Sequence, residues 1–251
     1  MGEGKYGKSG ATDLSDWGRP LARFLASYLK KTRISVIQVT NFHLLLSFLG
    51  AWLIISDDTV EACLILVIKG IIDAVDGELA RMRKQPSHVG RYWDTVADTI
   101  GLIVIMVAFG QTLDWSNKLT IIIILTILFQ YSLFNHFSVR TRILHSGDTT
   151  SRVDEQKCPE AYPWENQKNV NTLHSIYVIF FSWQDKIISK LVGQGSKNLV
   201  FELTISSILG YGMQSVFILL LAITQNLQYI PHLIIGINSI LMVITIIRSR
   251  F

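Results

Sequence analysis

Cysteine is nearly absent from this chain of 251 residues, which has only Cys63 and Cys158. One falls in a long apolar stretch and the other in a polar one, a pair that offers neither a disulfide framework nor the spacing of a thiolate metal site. Proline is scarce too, with five in the whole chain, so little interrupts helix formation. Charged residues make up 17%, below the roughly 25% usual in soluble domains. The first thirty residues are polar and charged and lack an apolar core, so no cleavable signal peptide is expected.

Apolar residues are what the chain has in quantity, 49% of it, and they fall in long blocks. Six segments reach the roughly 20 residues that a membrane span needs: about 36–56, 60–81, 92–113, 119–138, 199–224 and 228–247. The expected fold is therefore an all-α integral membrane protein with six transmembrane helices. Lys and Arg place both termini in the cytoplasm. Seven precede the first span, four surround the second-to-third turn, eight lie between Arg140 and Lys197, and two close the chain. Lys118 would lie outside and Lys69 within the membrane. That asymmetry is the positive-inside pattern, so the net charge of +4 reads as topology and contact with anionic lipid, with no nucleic-acid partner.

Residues 1–12 are Gly-rich and charged and read as a tail. Trp17, Leu21, Phe24, Leu25, Tyr28 and Leu29 then repeat at helical spacing, with Arg19, Arg23 and Lys30 on the other faces. This predicts an N-terminal amphipathic helix, either lying in the interface or packed on the bundle. Residues 1–34 are taken as cytoplasmic tail and juxtamembrane helix, and 35–251 as the six-helix catalytic domain. Within the latter, 143–197 holds a cytoplasmic loop and a second interfacial helix over 173–192, whose stripe is Ile176, Ile179, Phe180, Trp183, Ile187 and Leu191.

Charge inside spans is costly and by default suggests function. Asp73, Asp76, Asp94 and Asp98 place four aspartates within 26 residues. At about 100° per residue, Asp73, Asp76, Gly77 and Ala80 share one face of the second span. Asp94 and Asp98 are i, i+4 neighbours on the third, and Gly101 continues their face. The short basic turn 82–90, with Pro86 inside it, folds the two spans into an antiparallel hairpin, so the four acids converge at the cytoplasmic end. Unpaired they would repel; hard oxygen ligands of this kind suit Mg²⁺ or Mn²⁺ rather than zinc. Gly77 and Ala80 remove bulk beside the acids, Gly90 permits a close approach, and Arg81 can bind a phosphate or pair with a carboxylate.

The order D-x-x-D-G-x-x-A-R, eight residues, then G-x-x-x-D-x-x-x-D resembles the motif of the CDP-alcohol phosphotransferase (CDP-alcohol phosphatidyltransferase) family. It matches at all eight fixed positions, from Asp73 to Asp98. Chance agreement is on the order of 10⁻¹⁰ per start position, given residue frequencies near one in twenty. The resemblance implies that Asp73, Asp76 and Asp94 are metal ligands, and that Asp98 is a ligand to a second ion and the general base. It implies that Gly77, Ala80, Arg81 and Gly90 shape the CDP site. The implied reaction is attack by an alcohol hydroxyl on the CDP-linked phosphate with release of CMP. CDP-diacylglycerol is the expected donor, the bacterial inner membrane the expected location, and a homodimer the suggested assembly. A polar headgroup carrying the CDP and a lipid supplying the hydroxyl is the alternative. Where members often carry Pro-Asn before the first span, Val36 and Ile37 stand here, and Thr40 or Asn41 is the available substitute.

Other polar residues have plainer readings. Lys69, one turn before Asp73, either neutralises that acid, reaches an anionic substrate, or is a structurally paired lysine. Arg140 and Arg142 suit a phosphorylated acceptor but are equally what a cytoplasmic helix end carries. Gln111, Gln130, Gln214 and Asn238 read as interhelical hydrogen-bond partners. Gly110, Gly210 and Gly212 read as sites of close helix packing. An intramembrane prenyltransferase would need a different aspartate pattern. A cation transporter would place its acids near the bilayer midplane.

Overall fold

Beside an apolar core, several polar side chains are buried in this protein while many large apolar ones are exposed. His43, Lys69, Asp76, Glu78, Gln130 and Gln214 are buried, whereas Leu45, Trp52, Ile55, Ile121, Ile240 and Ile244 are exposed. Large exposed apolar side chains around buried polar ones suit a bundle whose surroundings are hydrocarbon. The structure is a computed structural model that describes Tyr6 and residues 10–145, 157–192 and 199–250. Most of the expected 1–12 tail, and the 146–156 and 193–198 parts of the expected loop region, lie outside the described residues.

All regular structure among the described residues is helical. α1 spans Arg19–Leu29, α2 Val36–Ile55, α3 Thr59–Arg83, α4 His88–Thr112 and α5 Asn117–Leu144. Local chemistry sets their starts. Ser35 and Gln38 form a reciprocal capping box on α2; Ser87 accepts from the Gly90 N–H on α4 and Ser116 from the Leu119 N–H on α5. Between α3 and α4 the chain turns through Lys84, at φ 53°, as the hairpin reading requires. α2, α4, α5 and the run Leu199–Ile223 are long and apolar enough to cross a membrane. The two other expected spans do not meet that description. α3 is 25 residues long but carries the charged residues of the motif, and the apolar run His232–Arg248 is shorter.

The last two spans are less regular than hydropathy suggests. α8 (Leu199–Ser206) passes through a 3-10 turn and breaks at Gly210, which is extended, before α9 (Tyr211–Ile223) begins. The expected span over 228–247 is a π-helical segment, His232–Asn238, leading into α10 (Ser239–Arg248). A carbonyl in that segment, Ile234 O, accepts from Gln130 Nε2 at 2.8 Å, and Gln214 Nε2 in turn donates to Gln130 Oε1 at 2.9 Å. The interhelical role expected of Gln130 and Gln214 is thus seen. Gln111 is exposed and Asn238 Nδ2 has no partner.

Glycine supports two kinds of close approach. Gly110 admits Thr120, so α4 and α5 pack tightly, as read. At Gly210 and Gly212 a Cβ would collide with Ser15 instead. These glycines receive the N-terminal segment rather than a neighbouring helix. Ser15 Oγ accepts from the Gly212 N–H at 2.9 Å, and the Leu14 N–H donates to Ser207 Oγ at 2.9 Å.

Within the expected N-terminal helical stretch stands α1, whose Arg19 turns inward while Arg23 and Lys30 stay exposed. Arg19 Nε sits 2.6 Å from Glu78 Oε1 and Arg23 Nε 3.4 Å from Glu78 Oε2. Glu78 is buried on α3 and needs those cations. Ala22 and Ala26 pack with Val75 and Leu79, while Leu21, Phe24 and Tyr28 stay exposed. Over 173–192 there are two helices, α6 (Gln167–Phe180) and α7 (Ser182–Val192), divided at Phe181. Ile179, Phe180, Trp183, Ile187 and Leu191 of the expected stripe are exposed.

Candidate functional site

The packing of α2 against both α3 and α4 brings the motif acids into one place. α3 and α4 run antiparallel from their short turn, and α2 lies against both. On α2, His43 and Ser47 are one turn apart and face α4, where Asp94, Asp98 and Gly101 share a face. A Cβ on Gly101 would meet Ser47 Oγ at 2.5 Å. The bare glycine therefore lets α2 settle onto α4 one turn from His43. That approach carries His43 Nε2 to 3.3 Å from Asp94 Oδ1, 3.6 Å from Asp73 Oδ1 and 4.0 Å from Asp76 Oδ2. Its Nδ1 lies 4.0 Å from Asp98 Oδ1. All four aspartates thus surround a single buried imidazole.

Each acid has its own support. Thr40, one of the two residues available in place of the missing Asn, donates to Asp76 Oδ2 at 2.7 Å. Asn41 instead accepts from Trp93 Nε1. Lys69 is buried and its Nζ bonds Asp98, with the ammonium 4.2 Å above the ring centre of Tyr211. Lys69 is therefore a paired lysine as one reading had it, but its partner is Asp98 rather than Asp73. Asp73 Oδ1 and His43 Nδ1 are buried without a hydrogen-bond partner.

A cavity of about 420 Å³ opens beside this cluster. Asp73, Gly77, Arg81, Asp94 and Asp98 line it, whereas Asp76, Ala80 and Gly90 do not. Gly77 makes room for the Arg81 guanidinium, 3.3 Å from where a Cβ would stand, and Arg81 Nη2 donates to Glu78 Oε1 at 3.0 Å. Gly90 serves the α4 start, its N–H donating to Ser87 Oγ. Arg142 also faces the cavity and donates to Ser138, while Arg140 is outside the lining. Asp13, Asp16 and Arg19 close the side formed by the N-terminal segment.

His43, Asp73, Asp76 and Asp94 each offer a ligand atom, and these atoms all lie within 4.8 Å of one another. The partnerless Asp73 oxygen and the hard donors around it fit a divalent cation. A model of the CDP-alcohol phosphatidyltransferase family matches residues 35–248. The chain belongs to this family. Membership makes it a membrane transferase of substituted phosphate groups, using a CDP-alcohol and an acceptor alcohol in phospholipid biosynthesis. No curated protein matches the chain. The family match begins just past α1, so Asp13, Asp16 and Arg19, which wall the cavity, lie before it.

Two features of the site went unread in the sequence. His43 stands alone in an apolar stretch; the available signal was a polar residue within a span, one turn beyond Thr40 on the same face. The second is Glu165, distant from the motif. It accepts from Ser87 Oγ at 2.7 Å and the Val89 N–H at 2.8 Å, closing the α4 start from the loop side. Burial pushes its pKa up, but hydrogen bonds from Ser87 and from the Val89, His88 and Tyr162 amides outweigh burial and hold it below the ordinary carboxylate value.

Proposed function

We propose that this chain transfers a phosphatidyl group from CDP-diacylglycerol to the hydroxyl of a polar acceptor, releasing CMP. The supporting observation is the convergence of Asp73, Asp94 and Asp98, from two helices, on one cavity that Gly77 and Arg81 also line. Asp73, Asp76 and Asp94 would hold a divalent cation, Mg²⁺ or Mn²⁺, with Asp98 toward a second. Bound there, such ions supply positive charge against the diphosphate and the departing CMP.

The chain's own residues do the rest. Arg81, steadied by Glu78, binds a phosphate oxygen of the donor. Gly77 leaves room for the Arg81 guanidinium beside the acids, and Ala80 and Gly90, outside the cavity lining, shape the donor site from behind it. Asp98 accepts the proton of the attacking hydroxyl. The acceptor oxygen bonds to the phosphatidyl phosphorus as the bond from that phosphorus to CMP breaks, and CMP leaves with the electron pair. Thr40 and Lys69 fix the carboxylates of Asp76 and Asp98.

In this reading α3 and the His232–Arg248 segment also cross the bilayer, giving six spans. α1 and the α6–α7 pair lie at the interface, and residues 1–34 precede a catalytic domain of 35–251. The basic residues orient both termini and the active site toward the cytoplasm, in a bacterial inner membrane. The test is CMP release in lipid nanodiscs from CDP-diacylglycerol, with glycerol 3-phosphate, serine, inositol and inositol phosphate as acceptors. Metal-dependent release with one acceptor is expected. Release only from CDP-choline, CDP-ethanolamine or CDP-inositol would reverse the donor and acceptor roles.

A further inference from the structure

We infer that His43 is a direct metal ligand through Nε2, and that this nitrogen biases the site toward Mn²⁺ over Mg²⁺. The inference rests on the proposed metal site and adds a donor that the aspartate motif does not contain.

The placement of the imidazole carries it. His43 is fully buried, and one nitrogen faces three carboxylate oxygens at 3.3, 3.6 and 4.0 Å, from Asp94, Asp73 and Asp76. A single N–H satisfies one such acceptor well, and even the nearest is long for a hydrogen bond. Ligands held roughly 2.0–2.2 Å from a common cation stand about 3–4 Å from one another. The three separations fall in that range. Asp73 Oδ1, the acceptor at 3.6 Å, has no hydrogen-bond partner despite its burial. The opposite ring nitrogen, Nδ1, is also without one and lies 4.0 Å from Asp98 Oδ1. A small movement would let Nδ1–H donate to Asp98, the arrangement in which a carboxylate fixes the tautomer of a metal-bound histidine.

Local packing makes this position deliberate. The His43 carbonyl accepts from Ser47 Oγ, and Ser47 seats against Gly101. The contact that brings α2 onto α4 therefore also sets the depth of the imidazole. Carboxylates and water alone suit Mg²⁺ and Mn²⁺ alike, whereas an imidazole nitrogen favours metals later in the first transition row. Replacing one oxygen donor by nitrogen shifts the balance from Mg²⁺ toward Mn²⁺.

Pulsed electron paramagnetic resonance of Mn²⁺ bound to the full chain in nanodiscs tests this. The expected spectrum shows coupling to a directly bonded ¹⁴N. That coupling becomes a ¹⁵N pattern when histidine is labelled with ¹⁵N, a change that leaves the fold untouched. In His43→Gln the coupling disappears, and Mn²⁺ affinity falls by at least the roughly 10–100-fold that removing even an outer partner of a ligand costs. Mg²⁺ affinity falls less, so the selectivity ratio drops. Mn²⁺ bound with oxygen and water couplings alone would overturn ligation by His43 and leave the metal site standing. Nitrogen coupling that survives in His43→Gln would assign another histidine and overturn the inference too. A wild-type protein that binds no Mn²⁺ would remove the proposed metal site and this inference together.

Discussion

Lys69→Met separates the support of the site from its chemistry. Lys69 is 2% exposed and bonds Asp98, whose side chain is 40% exposed toward the cavity. Removing one partner of a fully buried ion pair costs about 3–5 kcal/mol. An exposed pair is worth about 0–1 kcal/mol. With one member buried and the other wetted by the cavity, the coupling should fall between, at roughly 2–3 kcal/mol. The assay is a double-mutant cycle of Lys69→Met and Asp98→Asn, read as unfolding free energy without divalent metal. Each single variant should be destabilised, and the double variant should recover most of the loss, because the neutral amide introduced by Asp98→Asn does not need the ammonium. The same lysine offsets the negative charge of the cluster, so Lys69→Met should bind Mn²⁺ more tightly while being less stable without it. Single effects that add within about 0.5 kcal/mol would mean that the pair carries no energy and would refute this account of Lys69.

Gly212→Val places side-chain atoms where the Ser15 carbonyl lies, so the N-terminal segment should lift from α9. A loss of about 1–3 kcal/mol is expected, as for other overpacked sites, with faster proteolysis before Arg19. Glu165→Ala removes the acceptor that closes the α4 start and should cost about 0.5–2 kcal/mol at neutral pH, measured by thermal unfolding. Because the folded pKa of Glu165 is depressed, that contribution is full above the ordinary carboxylate range and lost as pH falls through the folded value. The gap between wild type and Glu165→Ala should therefore close in acid. Gln130→Leu strips Ile234 O and Gln214 of a shared partner, and about 1 kcal/mol should disappear from the unfolding free energy.

The parts of this protein legible in its sequence are those governed by local rules. Helical periodicity placed Asp73 with Gly77 and Asp94 with Asp98, whereas the helix that packs against both of theirs is α2, which the motif does not announce. Hydropathy found α2, α4, α5 and the Leu199–Ile223 run because a membrane span demands length and apolar composition. What depends on contacts between distant segments was not legible. Gly210 and Gly212 looked like helix-packing glycines, since nothing in their neighbourhood announces Ser15, far away at the other end of the chain. The pairing of Arg19 and Arg23 with Glu78 was not legible either, because the burial of Glu78 is a tertiary fact. The π-helical stretch at His232–Asn238 was not legible, and the donor to its Ile234 carbonyl is Gln130, on another helix. His43 was hidden for the same reason: its meaning comes from three acids on two other helices.

The most direct test of the central claim follows CMP from CDP-diacylglycerol in nanodiscs, comparing wild type with Asp98→Asn, with and without Mg²⁺ or Mn²⁺. The account predicts that wild type releases CMP only with both metal and acceptor present. It predicts that Asp98→Asn still binds Mn²⁺ yet loses at least about 100-fold in rate, the low end of what a general base contributes. Equal rates in the two proteins, or release that persists after the metal is chelated, would contradict it.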